Sequence, residues 1–279
     1  HGLLYDQLLK GAGLEKARMY LEANQQALAQ YKTLCGNISC GFAEKDAYVY
    51  SLNDARKIDL ELEALHKLGF KASFASRLPL PLEVVGAVRF PNQAQFDPLR
   101  FAAGLARGLR IYEHTRVIEL GDHVAVTSGG TITAGKIIVA THFPFLNKHG
   151  GYFLKLYQHR SYVIALEGGP DVKGMYVDEA QNGLSFRNHQ GFLLLGGGDH
   201  RTGKTGGNWA ELRDFAGRHY PDAPESFHWA TQDCMSLDGV PYIGAYSKST
   251  PDLLVATGFN KWGMTSSMVA AKVLTDLVR

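Results

Sequence analysis

Arg160 and Arg187 are the residues whose type and setting best suit the capture of a charged small molecule. Each lies in a strand-like stretch among aromatic side chains, YQHRSY and LSFRNH. A guanidinium there offers two parallel N–H donors to a single carboxylate. An ordinary ion-paired or solvated arginine is the competing reading. Tyr157 and Tyr162, beside Arg160, divide in the same way between pocket lining and core.

Residues 198–205, GDHRTGKT, spell the G-x-x-x-x-G-K-[ST] pattern of a phosphate-binding loop. In such a loop backbone amides cradle the phosphates, the lysine reaches the terminal ones and the threonine holds magnesium. The preceding GFLLLGG suits a strand. The helix that follows is expected only from Asn208, however, whereas a phosphate loop starts its helix at the lysine and threonine. A polar strand-to-helix loop with a solvated Lys204 competes, and a nucleotide hydrolase stays open as an alternative function.

Eleven histidines include no H-E-x-x-H, and no G-x-S-x-G elbow is present. Cys35 and Cys40 form a C-x4-C that lacks a second ligand pair, so no metal is expected. Three cysteines make no disulfide framework and point to a reducing, cytoplasmic setting.

These groups need a scaffold, and the chain supplies one of mixed type. Its 279 residues are 45% hydrophobic and 20% charged, with a formal net charge of +2. That balance suits a globular protein of one or two domains and does not suggest nucleic-acid binding. No apolar run is long enough for a membrane span. Glycine, at 31 residues, is in excess, as expected for close backbone approach to a ligand or for many tight turns. Helical patterning covers 13–34, 53–68 with Asn53 as its cap, a segment opened by Asp97 and Pro98, 208–219, and 264–278. Extended patterning covers 44–50, 110–120, 123–128, 130–141, 160–167, 174–180, 183–188, 191–198, 242–247 and 252–258. Helices thus flank a β-rich centre, an α/β or α+β chain.

Four segments together resemble the D-amino-acid oxidase family of FAD-dependent oxidoreductases. They are RFPNQAQFDPLRFAAGLARGLRIYEHTRVIEL, ITAGKIIVATHFPF, CMSLDGVPYIGAYSKSTPDLLVATGF and GFNKWGMTSSMVAAKVLTDLV. The wording of GFNKWGMT and GGGDHRTG most resembles a bacterial branch whose longer members carry a C-terminal Rieske iron–sulfur domain. The resemblance implies FAD as cofactor and an amine or amino acid as substrate, oxidised by hydride transfer to flavin N5. It implies a Rieske or other electron acceptor in the longer protein. It places Val117 by the adenosine, Ala140 and Thr141 where a buried strand ends near the cofactor, and Gly258 to Thr265 at the isoalloxazine edge. In that last stretch Asn260, Lys261, Trp262, Gly263 and Met264 are the intervening candidates. Arg187 or Arg160 becomes the carboxylate clamp, with Tyr157 beside it.

The implied architecture is an incomplete Rossmann-like FAD domain, residues 1–40, 91–148 and 231–279, with an antiparallel-sheet substrate domain, 41–90 and 149–230. The family opens on strand–G-x-G-x-x-G–helix, which these residues lack. A member missing its first ~50–80 residues, the size of one βαβ unit with its connection, is the expectation. A remnant that keeps the fold and binds no FAD is the third reading.

Overall fold

The computed structural model describes residues 2–146 and 149–279, so His1 and the domain boundary expected at 148 lie outside the described residues. In chain order the elements are α1 (Tyr5–Ala12), α2 (Leu14–Cys35), β1 (Ala43–Ser51), α3 (Ala55–Lys67), β2 (Ser73–Ala75), β3 (Gly86–Gln95), α4 (Pro98–Ala106), β4 (Val117–Leu120), β5 (Val124–Thr127), β6 (Gly130–Thr133) and β7 (Ile137–Val139). There follow β8 (Leu156–Glu167), β9 (Met175–Asp178), β10 (Ser185–His189), β11 (Phe192–Arg201), α5 (Asn208–His219), β12 (Glu225–Ser236), β13 (Tyr242–Ser247), β14 (Thr250–Thr257) and α6 (Gly263–Val278). They form two compact units. Unit 1 comprises 1–28, 40–97 and 159–232; unit 2 comprises 29–39, 98–158 and 233–279.

Unit 1 is built on a sheet of strand order β12-β8-β11-β10-β9-β1-β3-β2. Its pairs are antiparallel along β8–β11–β10–β9 and β1–β3–β2, with β1 and β9 parallel. Side-chain alternation sends successive residues to opposite faces. Tyr50, Phe186, Leu195 and Ile164 pack with Leu212 and Phe215 of α5 on one face. Val49, Val88 and Phe90 pack on the other with Tyr5 of α1, Ala17 and Leu21 of α2, and Ile58 and Leu65 of α3. Glu61, fully buried on α3, accepts the first amides of α1, those of Leu4, Tyr5 and Asp6, at 3.0, 2.9 and 2.9 Å. One carboxylate thereby satisfies donors that the start of a helix leaves open.

Unit 2 holds two small sheets. β13-β14-β7 has an antiparallel first pair and a parallel second. β4, β5 and β6 form an antiparallel meander. α6 lays Ala270 and Leu274 on Leu254 and Ala256 of β14.

Four sequence expectations change. The 1–40 group divides at Leu28, because the apolar stripe of α2 at Ala17 and Leu21 packs into the core of unit 1. The cap of α3 is Asp54 in place of Asn53; its Oδ1 accepts the Lys57 amide at 3.1 Å. The strand expected from 110 begins only at Val117, since His114 adopts φ 53° and Thr115 turns its hydroxyl onto the Glu113 carbonyl at 3.0 Å. β12 was not expected, and it is an edge strand whose Phe227 and Trp229 are exposed, so it carries no clean apolar alternation.

Candidate functional site

Within unit 2, β7 and β14 run parallel and in register, Val139 opposite Val255, so their C-terminal ends emerge side by side. Parallel strands in α/β sheets place ligand crevices beyond such ends. A cavity of about 360 Å³ opens there. Ala140 and His142 follow β7, Ala256 to Phe259 close β14, and α6 contributes Ser267, Ala270, Ala271 and Leu274. Alanine and glycine dominate this wall, which lets a flat ring or an extended chain come close to the backbone. Thr257 donates its hydroxyl to the His142 carbonyl at 2.6 Å and meets the Cys234 sulfur at 3.5 Å, fixing the floor.

The stretch from Gly258 to Thr265 then enters α6. Gly258 has φ 69°, and a Cβ added there would lie 3.0 Å from Leu156 and 3.1 Å from Ser236, so only glycine fits the close approach. Asn260, also left-handed at φ 52°, turns its side chain onto the backbone of residues 236–239. Trp262 is the N-cap of α6 and supplies no side-chain cap. The first turn, Gly263, Met264 and Thr265, therefore presents amides without a side-chain acceptor, a favourable locus for negative charge. The Met264 carbonyl accepts the Tyr31 hydroxyl at 2.8 Å, which steadies this turn. Lys261 and Trp262 are half-buried.

Of the residues singled out from sequence, Ala140 and Gly258 line the cavity. Thr141 is exposed and bonds the Phe143 carbonyl at 3.0 Å, while Val117 lies on β4 of the meander. The lining residues Ser267, Ala270, Ala271 and Leu274 were missed. Their i, i+3, i+4, i+7 spacing was the available signal, and it reads equally as core packing.

In unit 1 the register separates the two arginines. Arg187 of β10 stands opposite Leu194 of β11, which stands opposite Ala165 of β8. Arg160 of β8 shares its face with Tyr162 and Ile164, the face that packs on α5. The arginines thus project from opposite faces of one sheet, and a single carboxylate cannot bridge them. Arg160 donates to Gln232 Oε1 at 3.3 Å, an acceptor also taken by Thr202. Arg187 is half-buried, and burial lowers its pKa from the ordinary arginine value. No carboxylate pairs with Arg187 among the described residues, an uncommon state for a desolvated cation. Tyr157, at the start of β8, is half-buried. Tyr162 is core: its hydroxyl meets His200 Nε2 at 3.0 Å and its ring meets Trp209 edge-on at 4.8 Å.

The GDHRTGKT stretch is not a phosphate loop. β11 continues through Arg201, antiparallel to β8, with His200 opposite Arg160. The Lys204 amide then closes a turn on the Arg201 carbonyl, and α5 starts four residues beyond the lysine, at Asn208. Cys35, Cys40 and Cys234 are buried and unbridged. Asp122, His123 and Asp252 approach one another, but Lys136 Nζ sits 2.9 Å from Asp252 and provides the counter-charge. Among the described residues no helix is long and apolar enough to cross a membrane.

A model of the DAO family, FAD-dependent oxidoreductases, matches residues 1–277. A Bacillus subtilis (strain 168) protein named as a Rieske 2Fe-2S iron-sulfur protein, YhfW, is 37% identical over 301 aligned residues, covering all of this chain and 59% of that protein. The chain thus spans about three fifths of that relative's length. Glycine oxidase from Geobacillus kaustophilus superposes with a TM-score of 0.75 at 22% identity, covering 92% of this chain and 77% of that one. Glycine oxidase from Bacillus cereus gives 0.73 at 20%, covering 92% and 80%. L-proline dehydrogenase from P. horikoshii gives 0.73 at 17%, covering 91% and 78%. At these identities the superpositions establish the fold, and the match along nearly the whole sequence establishes the family: the chain belongs to the DAO family of FAD-dependent oxidoreductases.

Proposed function

We propose that this chain holds the flavin end of FAD in the cavity of unit 2 and serves an oxidoreductase acting on an amine or amino acid. The observation that carries the reading is the cavity itself: small side chains beyond two parallel strand ends, beside a helix start with no side-chain cap, in a chain matched by the family model over 1–277. When bound, FAD supplies the two-electron acceptor at N5 for removal of hydride from the carbon bearing nitrogen, leaving an imine that water hydrolyses. The residues of the chain bind and orient. Gly258, Ala140 and Ala270 admit the ring system by their small size. The amides of Gly263, Met264 and Thr265 stabilise the negative charge of a reduced ring. Arg187, half-buried and lacking a carboxylate partner among the described residues, holds the carboxylate of an amino-acid substrate by a bidentate contact. The relative's name supports a Rieske centre as electron acceptor, and unbridged cysteines support a reducing, cytoplasmic setting.

Adding FAD to the chain and recording the visible spectrum tests this. Retained, shifted flavin bands after gel filtration are expected, and bleaching by the right amine or amino acid identifies the substrate. A protein that emerges colourless after FAD addition sinks cofactor binding by this chain and leaves the non-binding remnant as the reading.

A further inference from the structure

Asn260 is one of the most completely bonded side chains in unit 2, and none of its bonds points into the cavity. Its Oδ1 accepts the Ser236 amide at 2.9 Å, its Nδ2 donates to the Gly239 carbonyl at 3.1 Å, and its own amide donates to the Cys234 carbonyl at 3.0 Å. The two ends of the side-chain amide are matched to opposite partners, an acceptor to an N–H and a donor to a C=O, so the orientation of the group is determined by its surroundings. With both ends engaged, the side chain is held by the backbone of residues 236–239.

The position of Asn260 explains why those bonds matter. The two residues before it, Gly258 and Phe259, are cavity wall. Gly258 packs against Ser236, the residue whose amide Asn260 holds. The two residues after it lead to the N-cap of α6, and the chain carries the order forward: the Trp262 amide bonds the Phe259 carbonyl at 3.0 Å, and Ser266 bonds Trp262 at 3.1 Å. The 234–239 segment therefore acts as a template. Leu237 ties that template to the Lys155 carbonyl at 3.0 Å, and Tyr242 closes it by donating to Asp238 at 2.7 Å. Asn260 is the joint through which the template sets where the wall and the helix start lie.

We infer that Asn260 is a positioning residue for the flavin site, acting through the Gly258–Phe259 wall and the first turn of α6 without touching the cofactor. This rests on the cofactor reading above. Preorganised donors lose their advantage when their frame loosens. FAD titration into the full chain, followed by flavin fluorescence and absorbance, measures the effect alongside thermal unfolding. Asn260→Ala is expected to weaken FAD binding roughly tenfold or more, the scale of losing two hydrogen bonds. Asn260→Gly relieves the left-handed φ but restores no amide. Its melting temperature is expected to recover toward that of the unsubstituted chain while its affinity stays low. Affinities that follow stability across the two variants, or that equal the unsubstituted value, overturn the positioning role. An unsubstituted chain that binds no FAD overturns the cofactor reading, and this inference with it.

Discussion

Unit 1 and unit 2 handle apolar surface in opposite ways. Among the described residues, eighteen of the twenty-four large hydrophobic side chains left exposed belong to unit 2, although unit 1 is the longer. Leu99 at 81% and Leu154 at 70% are the extremes. Unit 1 instead buries two broad clusters, one on each face of its sheet. Apolar burial is the main stabilising term in folding, and unit 1 holds the larger share of it. Unit 2 has smaller buried clusters and leaves more of its apolar area exposed. The proposed function divides along the same line: it assigns the cofactor to backbone and small side chains of unit 2, and the substrate carboxylate to a charged side chain of unit 1.

The sharpest way to break this contrast is to damage the stronger core. Leu195→Ala, at a fully buried site, is expected to destabilise unit 1 by about 2–5 kcal/mol. Two-wavelength denaturant melts should show that loss on the unit 1 transition; an equal shift of both transitions would mean the units do not differ in autonomy. The complementary test strengthens the weaker unit. FAD at about one hundred times its Kd should stabilise it by about 2.7 kcal/mol. Hydrogen exchange should slow in β14 and α6 and stay unchanged in β8 and β11. Next comes Arg187→Met. Removing a half-buried cation that pairs with no carboxylate among the described residues should raise the stability of unit 1 slightly while lowering kcat/KM for a carboxylate-bearing substrate about 10–100-fold. A fall in both quantities would recast Arg187 as structural.

Glu61 gives a pH-dependent test within unit 1. Burial raises its pKa, more strongly than the three amide bonds lower it. A carboxyl with a raised folded-state pKa contributes stability that is fully present below its unfolded pKa of about 4.3 and is lost as pH rises through the folded value. Glu61→Gln should therefore cost about 1–2 kcal/mol at acidic pH, with a smaller difference at neutral pH. Urea melts at several pH values check the slope, and parallel slopes in the two proteins would contradict it. The smallest effect belongs to Arg160→Ala. Its bond to Gln232 is a partly exposed contact, and the expected change is within about 0.5 kcal/mol, with turnover unaffected. A loss of turnover comparable to that of the Arg187 variant would reverse the assignment of the two arginines.

The contrast between these arginines also marks where the sequence stops being informative. Both were visible as arginines among aromatics, and nothing in that local wording separates them. Their separation follows from the register of β8, β11 and β10, a property of pairing between distant segments. Helices α2, α4, α5 and α6 were legible because periodicity and the Pro98 start are local signals. The helix cap at Asp54 lay one residue from the expected one, since Asn53 and Asp54 are both good caps and the choice depends on which side chain meets the Lys57 amide. The passage from β14 through a glycine turn into α6 was legible, because a strand, a glycine and a helix start are all local signals. The bonds of Asn260 were not, because its partners at 236–239 are brought to it only by folding.

Trp262 has a practical consequence. The chain has three tryptophans, Trp209, Trp229 and Trp262. The first two belong to unit 1, where Trp209 Nε1 donates to the Trp229 carbonyl at 3.2 Å. Trp262 alone belongs to unit 2. Replacing the unit 1 pair by phenylalanine leaves a single indole at the cap of α6, and its emission then becomes an optical signal of that unit only. Resonance energy transfer from this indole to an added isoalloxazine would time the arrival of the ring system in a stopped-flow instrument, without any label being attached.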